Sequence, residues 1–302
     1  MGIVTTANFS KALYPGVSEW FGDEYNNWDE IYSKIFEAKR SMRAYEEDVQ
    51  RTGLGLAAEK TEGQAPTFDS DEQSYITRYA PIVYALGIKV TREMVEDNLY
   101  DSVGQEWTRM LAASGRETKE VVHTNILNRA FNSSYTGADG LELCSTAHTN
   151  WTGGTWKNEL TTAAPLSEAS LEQAIIDIGN WTNDRGNRIR AQIKQLIVPK
   201  ELEFDAVRIL KTVYRVDTSH NDISALYALT KVPKMLVNTY MTNTNDWFLQ
   251  TNVRNGLKSI QRRDPEFTTD NEHETQVASF IYTERYVPGW SDPKGIYGSP
   301  GS

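Results

Sequence analysis

Apolar side chains recur at every second position from Ile82 to Val90, and this period of two predicts a β-strand. The preceding stretch "QSYITRY", at 73–79, is also typical of a strand. Together the two stretches predict a long two-stranded hairpin. An isolated hairpin buries too little apolar surface to be stable, so we expect this one to need a partner and to lie outside the core.

A spacing of four residues replaces this alternation further along the chain and predicts a long helix. Apolar residues recur from Val95 to Leu111 and, beyond Gly115, from Val122 to Ala130. Thr91 is a suitable N-cap for the helix. We expect one broken or kinked helix of about forty residues, ending at the turn-rich "NSSYTGADG".

The second half of the chain predicts alternating helices and strands. Ser167 is a predicted N-cap, because Leu166 and Leu171 occupy the two positions of a hydrophobic staple. A helix is also predicted from Lys200 to Lys211. Short apolar runs predict strands at "LELCS", "QLIVP", "PKMLVNTYM", "DWFLQTN", "GLKSIQRR" and "VASFIYTERYV".

The first fifty residues combine aromatic side chains with charges and lack a clear period. Each buried ring removes about 150–250 Å² from water. We therefore expect this segment to be an arm that packs against another part of the chain or against another copy of it.

Composition narrows the possible functions. The 302 residues carry a net charge of −10, which argues against a surface that grips nucleic acid phosphates. The single cysteine cannot form an internal disulfide. The longest apolar run, 81–88, is far shorter than the roughly 20 residues of a membrane-spanning helix, so we expect no membrane partner.

Candidate catalytic and metal-binding residues are few. Cys144 and His148 could form a nucleophilic pair, but spacing of four brings two side chains together only on a helix, and glycines and threonines flank this pair. We expect Cys144 to be structural; a hydrolase that uses Cys144 or a pair of carboxylates remains an alternative.

Metal and cofactor signatures are also missing from the sequence. His123, His148, His220 and His273 lie far apart. The acidic run 262–274 lacks the spacing of a calcium-binding loop and is expected to be a solvated turn or an interface. Phosphate-binding and acyl-transfer motifs are absent. We therefore expect no enzyme, no catalytic residues, no cofactor and no metal.

The order of these parts resembles the major capsid protein of tailed bacteriophages and is most similar to the major head subunit of the Mu-type phages. The resemblance extends over nearly the whole chain, and it depends on the order and spacing of several motifs. These are "DGLELCSTAH", "APLSEASLEQAI", "QLIVPKELEFDAVRIL", "DWFLQTN" and "ERYVPGWSDPKGIYGS".

The resemblance implies an α+β capsid fold with five parts. These are an N-terminal arm (1–51), an extended loop with a β-hairpin (52–90), a peripheral domain with a long spine helix (91–160), an axial domain (161–252) and C-terminal strands of the peripheral domain (253–302). In such a fold the arm and the hairpin reach neighbouring subunits.

The implied function is that of a structural subunit in the virion. Copies would assemble in the host cytoplasm into pentamers and hexamers of an icosahedral shell around double-stranded DNA, which the shell would contact non-specifically. Expected partners are other copies, a portal, a scaffolding protein and a possible decoration protein. We expect the scaffolding protein to be a separate chain, since no coiled-coil prefix precedes the arm. We expect no lysine–asparagine cross-link at Lys60. An encapsulin-like compartment with a protein cargo is the main alternative.

Overall fold

The computed structural model describes residues 21–22, 25, 29–91, 100–214, 223–228, 233–272 and 277–301. Its helices are α1 (Tyr32–Ile35), α2 (Tyr100–Asn128), α3 (Glu168–Gly179), α4 (Glu203–Lys211) and α5 (Ala225–Ala228). Its strands are β1 (Glu37–Arg40), β2 (Glu46–Arg51), β3 (Gln73–Tyr79), β4 (Ile82–Thr91), β5 (His148–Thr149), β6 (Thr155–Trp156), β7 (Ile193–Val198), β8 (Lys234–Val237), β9 (Trp247–Thr251), β10 (Leu257–Glu272), β11 (Val277–Trp290) and β12 (Ile296–Ser299). Short 3₁₀ turns lie at Lys200–Leu202 and Pro293–Gly295.

The first four-stranded sheet has the order β1-β10-β11-β4. Strands β10 and β11 are antiparallel, and β4 pairs with β11 from Ile82 opposite Tyr286 to Thr91 opposite Val277. Strand β1 runs parallel to β10 at the other edge. Apolar residues between this sheet and α2 form a small aromatic core: Phe21, Tyr25, Val90, Leu111, Ala112, Phe267 and Tyr282.

Helix α2 runs through Gly115 without interruption, so the helix is not broken there. At 29 residues, the helix is about 44 Å long at 1.5 Å per residue. Gly115 instead allows a close approach, because a Cβ atom at this position would lie 2.9 Å from the Tyr282 ring of β11. The predicted N-cap, Thr91, is the last residue of β4, and the start of the predicted helix lies outside the described residues.

The second sheet has the order β12-β9-β7-β8 and is covered by α3 and α4. Ser167 caps α3 as predicted, since its side chain accepts a hydrogen bond from the amide of Ser170 in a capping box. The side chains that pack between these helices and the sheet include Leu171, Ala174, Ile178, Leu196, Val198, Ala206, Leu210, Trp247, Leu249 and Tyr297.

A third apolar cluster joins the end of α2 to the second sheet. Leu127 and Ala130 pack there with Ile197 of β7 and Phe248 of β9. Ile35 and Phe36 of the predicted arm belong to the same cluster. The described part of the arm therefore packs into its own subunit, the first of the two possibilities that its aromatic composition left open.

Three local predictions are wrong. Strands β3 and β4 exist, but β3 pairs with β2 and β4 pairs with β11, so they do not form one hairpin. The segment "LELCS" is irregular rather than a strand. Most of the acidic run, which we expected to be a solvated turn or an interface, lies in β10 and not in a turn, with a register shift between Arg263 and Glu266.

Candidate functional site

An extended loop between β2 and β3 is the most exposed part of the described chain. Every residue from 54 to 70 is exposed and outside regular secondary structure. Two large apolar side chains are almost fully in water, with exposed fractions of 85% for Leu56 and 90% for Phe68. Apolar side chains presented in this way on a protruding segment are typical of a surface that binds another molecule.

Carboxylates hold the base of this exposed loop closed. Asp71 accepts a hydrogen bond of 2.9 Å from the amide of Gly53, and Asp69 accepts one of 2.7 Å from the amide of Gly55. These backbone hydrogen bonds are the largest cause of the lowered pKa of both carboxyl groups. Arg185 lies 3.6 Å from Asp69 and connects the base to the loop before β7.

The strands below the loop are fastened to the first sheet by a polar cluster. Lys258 of β10 is completely buried and forms an ion pair with Asp48 of β2. The hydroxyl of Ser291 lies 2.6 Å from Asp48 and 2.6 Å from the hydroxyl of Tyr79. Gly289 gives the Tyr79 ring room, because a Cβ atom there would lie 2.6 Å from it. Tyr79 is therefore part of the core, contrary to the prediction that 73–79 lies outside it.

The segment before β1 is tied to helix α2 by charged side chains. Glu120 accepts hydrogen bonds from the backbone amides of Ile31 and Tyr32. Arg116 forms an ion pair with Glu30. The charges of α2 thus fix the path of the chain that enters the first sheet.

Glu284 of β11 is the centre of the same buried network. Its carboxylate lies 2.5 Å from the ammonium of Lys119 and accepts hydrogen bonds from Tyr25 and Gln261. Burial alone would raise the pKa of Glu284, but the Lys119 charge and the hydrogen bonds hold this pKa below its ordinary value. The carboxylate is thus ionised and paired.

Cys144 has no feature of a nucleophile. It is fully buried in the third apolar cluster, and burial raises the pKa of its thiol well above the ordinary value. A reactive cysteine needs an accessible thiolate. The prediction of a structural cysteine agrees with this environment.

His148 is engaged away from Cys144. Its Nδ1 atom lies 2.5 Å from Asp139, and its ring stacks on Trp156 at 4.6 Å. His148 lies in β5, and its ring is fully buried.

No metal centre is formed by the described residues, where histidine, cysteine and carboxylate side chains do not gather in groups of three or more. His220 and His273 lie outside those residues. Asp264 of the acidic run instead pairs with Arg40. No helix of the described chain is long and apolar enough to span a membrane.

Glu142 and Glu159 are a pair of interacting carboxyl groups. Burial and then the charge of Glu142 raise the pKa of Glu159 to about 7. This pair is the nearest equivalent to the carboxylates of the hydrolase alternative. General acid–base catalysis also needs a substrate pocket around such groups, and neither carboxylate lines the cavity described below.

Sequence reasoning missed the buried charges of α2. Arg116, Lys119, Glu120 and His123 are spaced as one helical face, and all are buried. Charged residues at these positions of an otherwise amphipathic helix could have indicated a buried ion network. The partners Glu30 and Glu284 are too distant in sequence to be recognised.

The chain matches a sequence profile of the phage capsid protein family over residues 74–299. Because the match covers most of the chain, the protein belongs to this family. Among curated proteins, none matches the sequence.

Solved structures with the same fold come from protein shells. A chain of the procapsid of bacteriophage JBD30 is 15% identical, with a TM-score of 0.53 over 99% of this chain and 77% of the other. A chain of the mature capsid of bacteriophage PhiM1 is 10% identical, with a TM-score of 0.57 over 91% of this chain and 88% of the other. A chain of a virus-like particle from Pyrococcus furiosus is 13% identical, with a TM-score of 0.51 over 95% of this chain and 99% of the other. These matches confirm the predicted capsid fold.

Proposed function

We propose that this capsid protein is the major head subunit of a tailed bacteriophage of the Mu type. Copies of it form pentamers and hexamers that close into an icosahedral shell around double-stranded DNA. The observation that supports this proposal best is the loop 54–70, which leaves Leu56 and Phe68 exposed on a single copy. A neighbouring copy in a shell would cover these side chains.

Shell geometry gives this loop its role. A ring or shell built from one kind of chain uses interfaces in which one patch meets a different patch on the next copy. In our proposal the second sheet and its helices, 161–252, form the axial domain near the centre of each ring. Residues 91–160 and 253–302 form the peripheral domain, and the loop within 52–90 spans to the neighbour.

The remaining partners follow from this role. A scaffolding protein and a portal take part in assembly in the host cytoplasm, and a decoration protein can bind the finished virion. DNA contacts are non-specific, because a subunit with a net charge of −10 would hold phosphates weakly.

Expression of the full chain, alone and with a co-expressed scaffolding protein, tests the proposal. Electron microscopy should show closed particles with pentameric and hexameric units. A variant in which Leu56 and Phe68 are both changed to Ser should remain folded by circular dichroism but lose assembly. Ile176→Ser, which changes an exposed apolar residue of α3, is a matched control. Only compact monomers under all assembly conditions would contradict the proposal.

An encapsulin-like compartment is the second candidate, because the fold also matches the virus-like particle from Pyrococcus furiosus. Such a compartment encloses a cargo protein instead of DNA. Nuclease-protected DNA inside particles purified from infected cells supports the phage head. A co-purified enzyme in place of DNA supports the compartment.

A further inference from the structure

A cavity lies beside the base of the exposed loop. Its volume is about 510 Å³. The walls come from β2 and β3, the β5–β6 hairpin, the segment 183–191, the segment 252–255 and the turn 291–294. The cavity therefore lies where the loop, the first sheet and the second sheet meet.

Lys294 is the unusual residue of this cavity. Its side chain is held over the Trp156 ring, with Nζ 4.4 Å from the ring centre, and only 8% of the residue is exposed. The single hydrogen bond of the ammonium is a 3.5 Å contact with Asn150. A lysine ammonium has three donors, and a buried lysine normally has a carboxylate partner. Among the described residues, none lies within ion-pair distance.

The backbone around Lys294 is fixed. Its amide donates to the side chain of Asp292, and its carbonyl oxygen accepts a hydrogen bond of 2.6 Å from Thr251. Next to it, Gly295 packs so closely on Gly256 that a Cβ atom would lie 2.5 Å from the Gly256 Cα. The ammonium is thus preorganised in the cavity wall.

The other charges of the wall come from three arginines and three aspartates. Asp139 pairs with His148, and Arg51 pairs with Asp71. Arg190 and Arg254 line the cavity, and neither has an ion pair within the described part of the chain. The remaining carboxylates are those of Asp184, which accepts a hydrogen bond from the amide of Trp151, and Asp292. Lys294, Arg190 and Arg254 thus have no carboxylate at ion-pair distance among the described residues.

We propose that this cavity receives a carboxylate from the exposed loop of a second copy of the chain, supplied by Glu59 or Glu62. Lys294 binds this carboxylate, and Arg190 and Arg254 guide it at the rim. The inference rests on the proposed shell function and assigns the receiving site on the neighbour. A charge-assisted hydrogen bond to the carboxylate completes the coordination of the buried ammonium.

The exposed loop is long enough for this contact and carries unpaired carboxylates. Glu62 lies seven positions after Gly55 at the base, which allows the tip to extend about 23 Å from its own subunit. Asp69 and Asp71 are committed to the base, whereas Glu59 and Glu62 are exposed and have no ion pair among the described residues. The loop therefore offers free carboxylates at its far end.

Carbodiimide cross-linking of mixed particles tests the proposal directly. Particles are assembled from equal amounts of ¹⁴N- and ¹⁵N-labelled chain and treated with the reagent, which joins an amine to a carboxylate in direct contact. Mass spectrometry should find Lys294 joined to Glu59 or Glu62 in peptide pairs of mixed isotope content. Particles without such a pair, or with pairs of one isotope only, would overturn the inference and leave the shell function standing. A failure to form particles would contradict the shell function itself.

Variants distinguish a contact of Lys294 with a second copy from a role of Lys294 in the stability of its own subunit. Lys294→Met should raise the concentration needed for assembly by about tenfold or more and leave the melting temperature of the unassembled subunit unchanged or higher, because it removes a poorly paired buried cation. Glu59→Gln with Glu62→Gln should impair assembly equally, with no further loss in the triple variant. Lys194→Met, at an exposed lysine of β7, is the control. A lower melting temperature for Lys294→Met would contradict the inference.

Discussion

The ammonium of Lys119 on α2 lies 2.5 Å from the carboxylate of Glu284 on β11, and both side chains are buried. This ion pair crosses the interface between the long helix and the first sheet. Tyr25, from the segment before β1, donates a hydrogen bond to the same carboxylate. One buried charge pair therefore connects three separate parts of the sequence.

Breaking this pair should destabilise the subunit strongly. Lys119→Met leaves Glu284 buried without its counter-charge, and we expect a loss of about 3–5 kcal/mol in the free energy of unfolding. The double variant with Glu284→Gln should recover part of the loss. Urea denaturation of the unassembled subunit measures both. Arg208→Ala, which breaks the exposed pair with Asp205, should cost about 1 kcal/mol or less; an equal loss at both sites would refute this account.

Gly115→Ala should destabilise the protein although alanine favours helices. The new methyl group would meet the Tyr282 ring at 2.9 Å, and overpacking of this kind costs about 1–3 kcal/mol. Gly179→Ala, at the end of α3, meets nothing within 4 Å and should be neutral or stabilising. Thermal unfolding of the two variants compares them. A stabilised Gly115→Ala variant would show that the ring moves aside at little cost.

Changes in the exposed loop and in the strand β3 below it should have different effects on the stability of the subunit. Replacing residues 56–68 with a short glycine–serine linker removes no buried side chain, so the subunit should keep its melting temperature and lose assembly. Tyr79→Ala removes a buried ring and should cost about 3 kcal/mol or more. If the linker variant failed to fold in circular dichroism, the loop would have a structural role in its own subunit.

Glu159 should give the subunit a pH-dependent stability. Its folded-state pKa is about 7, against an ordinary value of 4.5. As pH rises from 4.5 to 7, the unfolded chain loses this proton and the folded chain retains it, so the contribution of Glu159 to stability falls. Glu159→Gln should therefore raise the melting temperature at pH 8 and leave it nearly unchanged at pH 4. An equal shift at both pH values would rule out titration as the cause.

The thiol of Cys144 should react only when the protein unfolds. Burial prevents access and keeps the thiol protonated. A thiol-reactive dye should therefore modify the native subunit very slowly and modify it at once in denaturant. Rapid reaction of the native protein would revive the catalytic alternative, which a Cys144→Ala variant could then test.

Much of the local structure could be predicted because its causes are local. The Ser167 cap depends on residues within one turn of helix, and the strands β7, β9 and β11 are marked by short apolar runs. Strand pairing was harder, because it depends on distant partners. The two residues between β3 and β4, Ala80 and Pro81, did contain a warning: two-residue hairpin turns need positive φ angles, which proline cannot adopt.

Other parts could not be inferred from one sequence. The acidic run was expected to be a solvated turn or an interface. Asp264 and Pro265 instead lie where the register of β10 shifts against β11, and such irregularities accommodate proline. The exposed loop was expected only because the resemblance to capsid proteins implied an extended loop within 52–90. The cavity beside it was not, because Lys294, Arg190 and Arg254 come together only when both sheets are assembled.

The burial of Cys144, the single cysteine of the chain, also has a practical consequence. A second cysteine introduced on the surface would be the one thiol open to a fluorophore or a spin label, without prior removal of the native residue. Distances between copies could then be followed spectroscopically while particles form and mature.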